Sequence, residues 1–278
     1  VKKRNLSLLL VLIMVASLGL AAGCGTQGQS GSGGSELSGS ITIAGSTSVQ
    51  PFSEVLAEEF MAKNNQATIY VQGGGSSQGI EAAVSGVADI GASSRELKAD
   101  EESSLHKFVI ARDGIAVVVH PSNQVSDLSL AQLHDIFAGK ISNWNQVGGP
   151  DSEINLVSRE AGSGTRDGFE SLVMNDDAVT DKALVANSTG AVKTTVAGDK
   201  NAIGYISLAA LDSTVKLIAI DGIKPTSESI LSGQYKIQRP FIYVTREEPT
   251  GLTKTFIDFV LSDAGQKLLE EEGAIRIN

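Results

Sequence analysis

The stretch Ile154-Asn155-Leu156-Val157-Ser158-Arg159-Glu160-Ala161-Gly162-Ser163-Gly164-Thr165-Arg166 decides the reading of this chain. An apolar, strand-like run leads into an arginine and a glycine-serine turn, and the pattern of a helix follows. The first N–H groups of a helix have no partners within it, and the helix dipole places positive potential there, so such a junction binds small anions. Gly162 and Gly164 permit the turn and close backbone approach. Ser163 and Thr165 offer hydroxyls, while Arg159 offers a planar fork able to meet two oxygens of a phosphate or carboxylate. Ser-Gly-Thr is equally ordinary helix-capping chemistry, and only its repetition along the chain distinguishes an anion site from a cap.

The same device recurs three times. Ile41-Thr42-Ile43-Ala44 leads into Gly45-Ser46-Thr47-Ser48 and then a helix from about Pro51, with Val55, Leu56, Phe60 and Met61 on one face. Thr68-Ile69-Tyr70-Val71 leads into Gly73-Gly74-Gly75-Ser76-Ser77 and a helix carrying Ile80, Ala83, Val84 and Val87. Asp89-Ile90-Gly91-Ala92 leads into Ser93-Ser94-Arg95 and a polar helical turn through Leu97. In α/β folds such junctions converge at the carboxyl ends of the strands, where ligands sit.

The N-terminus reads as an export signal. Lys2, Lys3 and Arg4 precede an apolar run over 6–20, and Ala21-Ala22-Gly23-Cys24 follows, the layout of a secretory leader with small residues before its cleavage point. The run is short for a transmembrane span. Cys24 is the single cysteine, so no internal disulfide is expected. Residues 25–38, mostly glycine and serine, read as a flexible tether spanning on the order of 20 Å. The formal net charge of −10, or −13 once the three leader cations are gone, argues against nucleic acid and anionic lipid surfaces as partners. It does not argue against an anion site, because local N–H groups and a buried arginine act within a screening length of roughly 8–10 Å.

With 278 residues, 41% of them hydrophobic, there is material for two cores. Strand-helix alternation over 41–94 predicts a first α/β lobe. Further strands are expected over 113–121, 154–157, 202–206, 215–220 and 240–245. A short helix is expected over 128–137, and a last amphipathic helix carries Phe256, Phe259, Val260 and Leu268. A chain leaving one lobe near 113 and returning near 240 gives paired crossovers. The domain plan is a leader over 1–23, a tether over 24–38, one lobe from 39–113 with 240–278, and a second lobe over 114–239. There is no convincing internal repeat. Trp144 between asparagines reads as a packed loop aromatic.

These stretches together resemble the phosphate-binding lipoproteins of bacterial phosphate ABC transporters, the PstS family. The most specific are Ala44 to Ser48, Gly74-Gly75-Ser76-Ser77, Asp89-Ile90-Gly91-Ala92-Ser93, Asp135-Ile136-Phe137-Ala138-Gly139-Lys140-Ile141, Arg159 to Thr165, and Asn201-Ala202-Ile203-Gly204-Tyr205. The resemblance implies a type II periplasmic-binding-protein architecture, with two α/β lobes closing over ligand. It implies donors from Thr47 and Ser48, from Ser76, and from Ser163, Gly164 and Thr165, with Arg159 making the charged contact. It also implies lipidation at Cys24, with Ala21 where such signals usually carry leucine, and delivery of inorganic phosphate to a permease by a monomeric, membrane-anchored receptor.

One departure stands out. Ser94 occupies a place where many family members carry an aspartate that accepts the proton of phosphate, which bears on rejection of sulfate. Arg95, beside it, either joins the site or pairs with Glu96 or solvent. Another tetrahedral oxyanion is the alternative ligand. No cofactor, metal or catalysis is expected: metal-ligand spacing and nucleotide-binding motifs are absent. The rival enzymatic reading is Gly75-Ser76-Ser77-Gln78-Gly79 as a nucleophile elbow, which needs a histidine near Ser77 from among His106, His120 and His134. A sensory or adhesive lipoprotein with the same anion site is a further alternative.

Overall fold

The first two predicted strand-turn-helix units, and the strand of the third, form in the computed structural model, which describes residues 37–277. Those units are β1 (Gly39–Gly45), α1 (Gln50–Lys63), β2 (Ala67–Gly73), α2 (Ser76–Ser85) and β3 (Ile90–Ser93). The strands pair in parallel in the order β2-β1-β3. The leader, Cys24 and the tether up to residue 36 lie outside the described residues.

After the short α3 (Ala99–Glu102) comes β4 (His106–Val119), a single 14-residue strand. Then follow β5 (Asp127–Leu128), α4 (Leu130–Phe137), β6 (Asn155–Arg159), α5 (Gly164–Val173), β7 (Leu184–Ala186), α6 (Thr189–Gly198) and β8 (Ala202–Ser207). The chain closes with β9 (Lys216–Leu217), β10 (Ala219–Ile220), α7 (Ser227–Leu231), β11 (Gln238–Thr245), α8 (Gly251–Leu261) and α9 (Asp263–Glu271).

β4 and β11 tie two lobes together. Residues 106–114 of β4 run antiparallel to β11, which itself pairs with β3. Residues 115–119 of the same strand instead pair with β8, from which β6 and β7 continue in parallel. The five residues 115–119 are wholly buried because both faces are covered. Ile115, Val117 and Val119 face a core with Phe137, Trp144, Phe169 and Tyr205, while Ala116 and Val118 face Val192 and Val196 of α6. That alternation is the two-residue period of a strand. In the first lobe Phe241 and Tyr243 join Ile41, Ile43, Leu56, Phe60 and Phe256, and Ile242 and Val244 pack on Ile80 and Ala83 of α2.

Three local expectations need correction. Residues 94–98 form no helical turn, since the Ser93 hydroxyl engages both the carbonyl and the N–H of Arg95, an alternative to helical bonding. The single strand expected over 215–220 splits at the buried Ile218 into β9 on β4 and β10 on β5. The last amphipathic helix is two, because Ser262 adopts an extended backbone and its hydroxyl accepts the Gly265 N–H to start α9. No helix among the described residues is long and apolar enough to cross a membrane.

Candidate functional site

The glycine-hydroxyl junctions meet between the lobes. At the start of α1, the Ser46 hydroxyl accepts the Ser48 N–H at 3.2 Å and donates to Ser94 Oγ at 2.9 Å. At the start of α2, Ser76 Oγ accepts the Ser94 N–H at 3.0 Å. At the start of α5, Ser163 Oγ accepts the Arg166 N–H at 3.3 Å, so its hydroxyl serves as the helix cap. Gly164 faces the other lobe so closely that a Cβ there would lie 2.3 Å from Ser76 Oγ and 2.7 Å from Ser94 Oγ. Only glycine admits that approach. Ser48 Oγ crosses the gap to Thr165 Oγ1 at 3.0 Å and to Thr189 Oγ1 at 2.8 Å. All of these hydroxyls are buried.

Two arginines converge on that cluster, and both are buried. Arg159, at the end of β6, lays its Nε and Nη2 on the Glu160 carboxylate, each at 2.8 Å. Its other end points to Thr47 Oγ1 at 3.1 Å, Thr189 Oγ1 at 3.3 Å and Thr165 Oγ1 at 3.5 Å. Tyr205 supports this strand end, its hydroxyl 2.7 Å from Ser158 Oγ and accepting the Arg159 N–H at 3.4 Å. Burial raises the Tyr205 phenol to about 12, so it stays a neutral donor at physiological pH.

Arg239 repeats the arrangement from β11. Its Nε and Nη2 lie 3.1 and 2.9 Å from Asp113 Oδ2, and its outer end reaches Thr165 Oγ1 at 2.7 Å, Ser94 Oγ at 3.2 Å and Ser48 Oγ at 3.3 Å. Asp113 is also satisfied by the Ser207 hydroxyl and the Leu208 N–H. Burial pushes the Asp113 carboxyl up and the Arg239 guanidinium down, each opposed by the charge of the other. Two clefts of about 470 and 350 Å³ flank the cluster, one lined by Arg95, Asp167 and Arg239 and the other by Thr47, Ser48 and Thr189.

The structure therefore gathers Thr47, Ser48, Ser76, Ser94, Arg159, Gly164 and Thr165, with Ser163 as the cap beneath them. Sequence reasoning missed Thr189, Asp113 and Arg239. Thr189 had a legible signal, since Leu184-Val185-Ala186 precedes Asn187-Ser188-Thr189-Gly190 just as strands precede the other junctions. Nothing local marks Arg239, which reaches the cluster only because β11 pairs with β4 so that Arg239 stands opposite Asp113. Arg95 lies outside the cluster and away from solvent, with its two Nη groups 2.7 and 2.8 Å from Glu101 and its Nε 2.8 Å from Asp167 of the other lobe.

Ser77 carries its own contacts, its N–H donating to the Gly162 carbonyl across the gap at 3.0 Å and its hydroxyl accepting from Arg95 at 3.3 Å. The histidines are engaged elsewhere: His106 with Glu248, His120 with Ser122, His134 with Asp135. Ser77 thus lacks the base a nucleophile needs. Trp144 is fully buried and donates to the Asn201 carbonyl at 3.0 Å. Among the described residues no group of three or more His, Cys, Asp or Glu side chains could hold a metal ion.

Two α/β lobes joined by a pair of shared strands, with hydroxyls, helix starts and arginines buried between them, define a solute-binding protein of the periplasmic-binding type. A model of the PBP superfamily domain matches residues 30–264. The phosphate-binding protein PstS of Bacillus subtilis is 36% identical, over 99% of this chain and 95% of its own length. A substrate-binding protein from Clostridium perfringens, solved with bound phosphate and attributed to a phosphate ABC transporter, is 43% identical; it covers 86% of this chain and 100% of its own, with a TM-score of 0.84. An ABC-type phosphate transport receptor from Vibrio cholerae is 42% identical over 84% of this chain and 99% of its own, with a TM-score of 0.72. The chain belongs to the PstS family of the PBP superfamily, a family of solute-binding receptors and not of enzymes.

Proposed function

We propose that this protein captures inorganic phosphate outside the cytoplasm and delivers it to an ABC permease, using Thr47, Ser48, Ser76, Ser94, Arg159, Ser163, Gly164 and Thr165. The observation that carries this reading is the convergence of the Arg159 guanidinium end with Thr47, Thr165 and Ser48 at one buried place between lobes. A buried cation surrounded by donors favours an anion with several acceptor oxygens. Holding the ligand from both lobes makes the closed form the binding form.

The lobe limits proposed are 39–113 with 240–278, and 114–239. Cys24 is proposed as the lipidated residue after removal of 1–23, giving a monomeric receptor on a short tether. A diacylglyceryl group plus an N-terminal acyl chain would supply the multiple anchors that stable attachment requires. Loss of membrane fractionation on Cys24→Ala is the expected outcome for that anchor.

Calorimetric titration of residues 36–278 with phosphate and with sulfate tests the central reading. That segment forms a compact unit, and the Clostridium relative was solved as a chain covering about the same extent. Tight phosphate binding that sulfate does not displace is expected. Comparable sulfate binding would favour the wider oxyanion reading, and no binding of either would overturn the function.

A further inference from the structure

We propose that Arg239 is a second anion-binding group, delivered from the strand crossover between the lobes and oriented by Asp113, so that the captured phosphate lies between two carboxylate-backed guanidiniums. The inference rests on the phosphate reading above and extends its ligand set.

The geometry is similar at both arginines, although Arg159 meets both oxygens of its carboxylate and Arg239 only Oδ2 of its own. Each gives its Nε and Nη2 to a carboxylate, Glu160 for Arg159 and Asp113 for Arg239, and each turns its outer end to the shared hydroxyl of Thr165. The carboxylate fixes the plane of the guanidinium, and the remaining N–H groups are aimed where a second acceptor would sit. Two like charges converging on one buried hydroxyl is unfavourable in the absence of an anion, and their repulsion is one of the effects that lower the Arg239 guanidinium. A tetrahedral anion between them reverses that sign.

The location adds a mechanical consequence. Asp113 and Arg239 are cross-strand partners at the point where β4 passes from pairing with β11 to pairing with β8. Arg239 touches Ser48 and Ser94 on one side of the gap and Thr165 on the other. An anion held by Arg239 therefore acts at the pivot itself, where a small change of strand geometry alters the relation of the lobes. The Ser94 hydroxyl accepts an Arg239 N–H and the Ser46 O–H, which leaves its own proton to be shared between Ser76 Oγ at 3.4 Å and the anion.

The test compares phosphate affinity, and compaction on phosphate addition by small-angle scattering, in wild type, Arg239→Met, Arg239→Lys and the double variant Asp113→Asn with Arg239→Met. Arg239→Met should weaken phosphate binding by about 30-fold or more, as expected for loss of charge-assisted bonds, and Arg239→Lys should recover part of it. The double variant separates a ligand role from a structural one. Replacing both members of a buried ion pair by neutral groups is often tolerated by the fold, so a merely structural pair predicts near wild-type binding there, whereas an anion contact predicts that the loss persists. Wild-type affinity within threefold in the double variant, or in Arg239→Met, would overturn the inference alone. Wild-type protein that binds no phosphate would overturn the function and this inference with it.

Discussion

Asp167→Asn should loosen the closed form without touching the anion cluster. Arg95 sits on the first lobe, and its Nε lies 2.8 Å from Asp167 on α5 of the second, with the two side chains 6% and 29% exposed. Both Arg95 Nη groups are held by Glu101 on its own lobe, so the substitution leaves the arginine paired and removes only the contact across the gap. The Arg95 Nε makes no aligned hydrogen bond, so the contact counts as an ion pair, worth about 0–1 kcal/mol when exposed. At its partial burial it contributes about 1 kcal/mol, the upper end of that range, and only when the lobes are closed. Its loss reduces the closed population about fivefold relative to the open one, and the apparent affinity falls by the same factor. The change should reside in the dissociation rate, read by stopped-flow fluorescence with calorimetry alongside. Burial pushes the Asp167 carboxyl above its ordinary 3.8, with Arg95 opposing. The wild type should therefore converge on the variant as pH falls toward that range. A dissociation rate and affinity both within twofold of wild type at neutral pH would refute the idea that this pair holds the lobes shut.

Arg159→Ala should weaken phosphate binding roughly 100-fold or more, since truncating a buried, hydrogen-bonded charge costs several kcal/mol; calorimetry showing near wild-type affinity would remove Arg159 from the site. Gly164→Ala places a methyl against Ser76 Oγ and Ser94 Oγ of the facing lobe, and overpacking of about 1–3 kcal/mol should appear as roughly tenfold weaker binding, checked by titration together with the ligand-free melting temperature. Arg95 holds the Glu101 carboxyl below its ordinary 4.5. The unfolded chain therefore takes up that proton first, and the stability Glu101 lends is fully present above about 4.5 and lost as pH falls below it. Glu101→Gln should lower stability at pH 7 by about 1 kcal/mol and flatten the acid limb of a denaturation series; an unchanged acid limb would count against the pair.

The strand-turn-hydroxyl-helix pattern at residues 41–48, 68–77 and 154–165 is local chemistry, carried by β-branched runs, glycines and capping hydroxyls within a dozen residues. That is why the α/β class and most of the residues gathered in the buried hydroxyl cluster were legible from the chain alone. The same logic reached too far at 94–98 and 215–220, where a serine side chain or the turn of a core residue overrides the local pattern. Arg239 and Asp113 are separated by more than 100 positions and sit in ordinary strand sequence. Only the register of β11 on β4 sets them opposite each other, and only the packing of α5 brings Thr165 to the free end of that guanidinium. The fate of Arg95 was likewise decided in space, by Glu101 beside it and Asp167 across the gap. The sequence determined which junctions can offer N–H groups and hydroxyls to an anion, because capping and turn formation depend on near neighbours. Tertiary structure decided how many positive charges meet there and which carboxylates orient them, because those distances are set by strand pairing and lobe packing.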